Sequence, residues 1–133
     1  MRPDRFQDYI QDLARTQPST QAQTFSEAGQ TTYPYGLTIT TPRSQTRWQI
    51  IGQLANGERH STPAAPVHAN PPPDSTAPQT TDTPEAWLAA LLTNAHCTEI
   101  ATIDRWSTRK DAAINPGITV SFHNGARIFA RQL

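Results

Sequence analysis

Arg105, Trp106, Arg109 and Lys110 set one indole ring among three cations, and Arg127 and Arg131 follow near the end of the chain. An aromatic ring can stack on a nucleobase while flanking guanidinium groups neutralise phosphates, so this grouping is what a nucleic-acid surface requires. Local charge points the same way. Residues 101–133 hold five basic side chains against Asp104 and Asp111, whereas residues 61–100 hold four acidic side chains and no basic one. The whole chain has eleven Lys and Arg against eleven Asp and Glu. Long-range attraction to a polyanion is therefore not built into the molecule as a whole.

Other chemistries have thinner support. His60, His68, His96, His123 and Cys97 stand at no recognised metal-ligand spacing, so no metal is expected. His96 and Cys97 are adjacent and would point to opposite faces of a strand. His123 could be combined on paper with Asp104 and Ser107 or Ser121, but no G-x-S-x-G frames a serine. The six glycines are scattered and form no phosphate-cradling loop. These absences argue against an enzyme and against a cofactor. The expected function is a small non-catalytic binding or adaptor protein acting through protein–protein contacts, with an unknown protein partner or a second copy. The alternative is nucleic-acid binding through the basic C-terminal β-surface of Arg105, Trp106, Arg109, Lys110, Arg127 and Arg131.

The elements that must position these residues are legible in part. Phe6, Tyr9, Ile10 and Leu13 recur at helical spacing within Pro3 to Arg15, one apolar stripe on an amphipathic helix. A polar, unperiodic stretch over residues 16–35 separates that stripe from the rest, a layout that suits docking on a partner; the competing placement is against the chain's own sheet. "GLTITT" alternates Leu37 and Ile39 against threonines. "TRWQIIGQL" puts Trp48, Ile50 and Leu54 on one face and Arg47, Gln49 and Gln53 on the other. Asn56-Gly57 predicts a two-residue type I′ turn, with a short returning strand from Glu58 that ends by Pro63.

Residues 63–83, the greater part of a stretch over 61–83 with six prolines, lack the apolar content to offset the entropy of ordering and read as a disordered or polyproline-like linker. Thr83 then caps a second helix with Pro84 at its first position; Trp87, Leu88, Leu91, Leu92 and Ala95 share a face. Ile100 and Ile103 mark a strand that needs a bulge, because they are out of alternating phase. Ser107 to Gly117 reads as a loop. A closing hairpin turns at Asn124-Gly125.

The predicted fold is α+β: two amphipathic helices packed on antiparallel β-hairpins or a meander. Residues 1–62 form a helix plus meander, 63–83 the linker, and 84–133 a helix plus antiparallel strands. The halves are too small to stand alone and are expected to share one core. Both halves read helix, strand, strand, strand, compatible with a loose αβββ duplication in which Asn56-Gly57 matches Asn124-Gly125. A two-residue turn in the closing hairpin puts Ile118, Val120, Phe122 and Phe129 on one inward face with Arg127 and Arg131 at its margin. The exposure of Phe122 and Phe129 decides between core and stacking surface. No apolar run is long enough to span a bilayer and no secretory leader is evident, so the expected location is cytoplasmic, with no membrane partner.

Overall fold

The computed structural model describes residues 1–110 and 115–133. Part of the loop expected over Ser107 to Gly117, with Asp111, lies outside the described residues. The chain is α+β, with helix α1 (Pro3–Arg15), strands β1 (Gln21–Thr24), β2 (Gly36–Thr40) and β3 (Gln45–Gln53), helix α2 (Pro84–Thr93), strand β4 (Ile100–Arg105), a 3-10 turn (Trp106–Thr108), and strands β5 (Gly117–Phe122) and β6 (Arg127–Gln132). All six strands join one antiparallel sheet in the order β1-β2-β3-β6-β5-β4.

Each half is therefore a helix followed by a three-stranded meander, and the meanders meet edge to edge where β3 pairs with β6. The repeat is visible in the sequence at a constant offset. Pro3 and Pro84, Phe6 and Trp87, Ile10 and Leu91, Phe25 and Trp106, and Gly36 and Gly117 all stand 81 positions apart in equivalent places. This corrects the expected alignment of the two Asn-Gly turns. Asn56-Gly57 follows the third strand of its half, whereas Asn124-Gly125 joins the second to the third. No strand returns from Glu58; only a single bridge joins Arg59 and Thr62. One edge of β3 is taken by β6 over six paired residues, and the segment after β3 folds back on itself around the Glu58 carboxylate, which accepts from the Ala55 and Ala64 N–H groups at 2.9 Å.

Both helices pack on one face of the sheet. In α1, Pro3 opens the first turn and Phe6, Ile10 and Ala14 are fully buried. The Phe6 ring meets Phe122 edge-on at 6.3 Å. Tyr9 and Leu13 are half-buried at the margin. The stripe expected to dock on a partner thus covers the chain's own core, because the apolar face of the sheet needs that cover. In α2, the Thr83 hydroxyl caps by accepting from the Ala86 N–H at 3.3 Å. The expected bulge in β4 falls between Ile100 and Thr102. Strand β1 was not expected. Its sequence, QAQT, has only Ala22 and Thr24 to turn inward, too short an alternation to stand out.

The closing hairpin departs from expectation by one residue. Phe122 pairs with Ala126 around a three-residue loop, with the Gly125 N–H donating to the Phe122 carbonyl at 2.9 Å. Gly125 alone in that loop has a positive φ, +91°, which is a type I turn closed by a glycine bulge and not a type I′ turn. A one-residue shift of register moves every side chain of the returning strand to the other face. Ile128 and Ala130 therefore enter the core with Ile118, Val120 and Phe122, while Arg127, Phe129 and Arg131 turn away from the helices.

The proline-rich stretch contains no helix or strand. It is nevertheless pinned. The Ala69 N–H donates to the Thr98 carbonyl at 2.9 Å, the His123 ring bonds the Asn70 carbonyl at 2.9 Å, and Pro72 is buried.

Candidate nucleic-acid interface

Among the described residues, no helix covers the second face of the sheet. Strand alternation dictates what it displays. Along β6 it carries Arg127, Phe129 and Arg131, spaced two residues apart, or about 6.8 Å in an antiparallel strand. Ile51 of β3 and Thr119 of β5 flank Phe129; Gln53 and Ser121 flank Arg127; Gln49 and Gly117 flank Arg131. Arg47 lies further along β3, on the same face as Thr38 of β2. Phe129 is partly exposed, and Ile51 is 42% exposed although it sits mid-sheet.

The two ends of this face are built alike. Each second strand begins with a glycine, and an aromatic ring from eleven positions upstream lies on it: Phe25 on Gly36 and Trp106 on Gly117. An arginine sits over each ring, Arg47 at 5.1 Å from the Phe25 centroid and Arg109 at 5.8 Å from that of Trp106. The glycines are needed for space. A Cβ on Gly117 would fall 2.4 Å from the Trp106 ring and 2.7 Å from the Ala130 carbonyl oxygen. Gly117→Ala is expected to push Trp106 off the sheet and cost about 1–3 kcal/mol, the usual range for overpacking. Intrinsic fluorescence would show the displacement, and an unchanged spectrum with unchanged melting would contradict it.

Trp106 is held by its indole N–H, which donates to the Thr119 hydroxyl at 2.9 Å. Arg109 donates to that hydroxyl at 3.2 Å and from Nε to Asp104 at 2.7 Å. Beneath the 3-10 turn, on the helix side, Glu85 is buried from solvent. Its carboxylate accepts from Arg105 Nε at 3.0 Å, from the Ser107 N–H at 3.2 Å and hydroxyl, and from the Gly117 N–H at 3.0 Å. Burial pushes this carboxyl up, but those hydrogen bonds outweigh it and hold it below the ordinary carboxylate value.

Of the six residues expected on a basic surface, Trp106, Arg109, Arg127 and Arg131 share the open face. Arg105 does not: alternation along β4 turns it to the helix side, where it neutralises Glu85. Lys110 is exposed just beyond the 3-10 turn. Sequence reasoning missed Arg47 and Ile51 as members. Their phase on β3 was readable, but β6, which pairs Ile51 with Phe129 and bonds the Arg47 carbonyl through the adjoining Leu133, lies more than seventy residues away.

Charge on the molecule is sorted. Asp104 is the one carboxylate of the open face among the described residues, and it is paired with Arg109. Among the described residues, Arg47, Arg127 and Arg131 have no carboxylate partner there. The opposite side shows Asp4, Asp8 and Asp12 exposed along α1. Zero net charge thus conceals a basic face and an acidic face.

The remaining reactive side chains are dispersed. His68 bonds Thr98 at 2.7 Å and His96 approaches Asp74 at 3.2 Å. Among the described residues, no three His, Cys, Asp or Glu come together as a metal-binding group. None of the described helices is long and apolar enough to cross a membrane. Comparison with protein-family models, curated proteins and solved structures finds no match to this chain.

Proposed function

We propose that this is a non-catalytic binding protein of the cytoplasm that holds single-stranded nucleic acid on the open face of its sheet. The observation that carries the reading is the row Arg127, Phe129, Arg131 on β6, a ring between two cations that have no carboxylate partner among the described residues, with Arg47 further along the same face. A base stacked on Phe129 would leave its neighbouring phosphates near the guanidinium groups. The face is broad and lacks a projecting helix or ribbon that could enter a major groove, which favours a single strand over a duplex. A single free cysteine suits a reducing compartment. The competing assignment, an adaptor docking through Phe6, Tyr9, Ile10 and Leu13, loses its surface because Phe6 and Ile10 are fully buried.

The test is anisotropy of a labelled single-stranded oligonucleotide against a duplex of the same length. With three arginines on phosphates, log affinity should fall against log salt with a slope of roughly −2, and the duplex should bind more weakly. No binding at low salt, or preference for the duplex, would end the proposal. So would capture of a protein partner that competes for this face while nucleic acid does not.

A further inference from the structure

Strand β3 outruns its neighbour. Its pairing with β2 stops at Gly36 and Gln49, apart from one more bond in which the Ile50 N–H donates to the Tyr35 carbonyl at 3.1 Å. Beyond that the β2 side of β3 is bare, although the other side stays paired to β6 as far as Gln53. Backbone polarity alternates along a strand. The Leu133 N–H donates to the Arg47 carbonyl, so odd-numbered residues of β3 bond β6 and even-numbered ones face the bare side. The Ile50 carbonyl and both the N–H and the carbonyl of Gly52 therefore point there, with no protein partner among the described residues.

They point into a cleft of about 580 Å³, whose walls include the apolar Pro3, Tyr35, Leu54 and Pro63 and, at other points, Arg2, Asp4, Glu58 and His60. Gln49, Ile51 and Gln53, which also line it, belong to the open face and pair with Arg131, Phe129 and Arg127. Cleft and platform are continuous. The cleft exceeds what a water needs, and its mixed walls, apolar at Pro3, Tyr35, Leu54 and Pro63, suit a flat ring with a polar edge.

We infer that this cleft takes one adenine base of the strand lying on the open face, read by the free edge of β3. This rests on the single-strand reading above. The edge presents acceptor, donor, acceptor in order: Ile50 C=O, Gly52 N–H, Gly52 C=O. With all three groups engaged, adenine alone among the four bases meets no like partner. Its exocyclic amine donates to the first carbonyl, its N1 accepts from the N–H, and its C2–H faces the second carbonyl as a weak donor. Cytosine sets its O2 against a carbonyl, guanine its O6, and thymine or uracil meets all three groups with like polarity. The base is held without any side chain supplying the specificity, which is why no motif in the sequence announces the site.

The experiment follows backbone amides of ¹⁵N-labelled protein. The ligands are an all-thymidine oligodeoxynucleotide, the same strand with one central adenine, and AMP. The adenine-bearing strand should bind about tenfold tighter and shift the Gly52 amide. The all-thymidine strand should shift Arg127 and Phe129 but leave Gly52 in place. Tyr35→Ala should erase the difference between the two strands without changing all-thymidine affinity. Equal affinities with Gly52 still, while Phe129 shifts, would overturn the cleft and leave the platform standing. If neither strand moves any amide, the platform falls with it. AMP moving Gly52 when neither strand does would make the cleft a free-nucleotide site and overturn the inference as stated.

Discussion

Phe129→Ala is expected to weaken binding of a single strand by one to two orders of magnitude, because a base–aromatic stack is worth about 1–3 kcal/mol by alanine substitution. The fold should tolerate the change. Phe129 lies on the face away from the helices and is partly exposed, so its removal opens no cavity among Ile118, Val120 and Ile128. Stability should change by less than about 1 kcal/mol, within the range of surface substitutions. Arg127→Ala with Arg131→Ala should act differently. Each removes one phosphate contact, so the salt slope should flatten by somewhat under one per arginine, by roughly 1.4 together. Phe129→Ala should leave the slope intact. Phe122→Ala is the contrast: that ring is buried against Phe6, and its loss should cost about 3–5 kcal/mol of stability. If Phe129→Ala binds like the parent, the stacking platform is wrong.

The largest stability effect outside the apolar core should come from Glu85→Ala. That side chain is 2% exposed and gathers Arg105, both donors of Ser107 and the Gly117 N–H. Removing it strands a cation and two backbone N–H groups. Breaking a buried ion pair costs about 3–5 kcal/mol; the low end applies because Arg105 is about a third exposed and can be partly rehydrated. A loss near 3 kcal/mol corresponds to a melting temperature on the order of 10 °C lower. Asp104→Ala, which breaks the exposed pair with Arg109, should change stability by no more than about 1 kcal/mol. The same carboxylates set the acid limit. Glu99, held by Arg5, and Glu58, held by the Ala64 and Ala55 N–H groups and Arg2, also sit below the ordinary value of 4.5. Their folded values are depressed, so the stabilisation is complete above about pH 4.5 and is lost as pH falls through the folded values. Thermal melts from neutral pH down to about pH 3 should show a plateau and then a decline, less steep in Glu85→Ala. A variant that melts with the parent, or a profile already falling at pH 6, would refute this.

What could be read in advance was local. Thr83 and Pro84 announce α2, alternation announces β2 and β3, and the phase conflict between Ile100 and Ile103 announces the bulge. Long-range facts were hidden. Asn-Gly suits a two-residue and a three-residue loop equally, and the choice between them reverses the side of Phe129. Glu85 and Glu99 look like surface acids until Arg105 and Arg5 are found beside them, the second 94 positions away. The candidate surface combines residues of β3, β5, β6 and the 3-10 turn, so only its basic C-terminal share stood out. The repeat was hidden because the two Asn-Gly turns drew the comparison to the wrong offset. The true one preserves residue character (proline, aromatic, glycine) more than identity.

The seam between β3 and β6 has a consequence for how such a molecule can be assembled. Either meander by itself ends in a naked strand and half a hydrophobic layer, and each lacks what the other supplies. A polypeptide of half this length would therefore be driven to meet its twin across that seam, rebuilding the six strands as a symmetric pair. A single linked chain is under no such symmetry, and its two halves can differ, with a phenylalanine at one end of the open face and a tryptophan at the other.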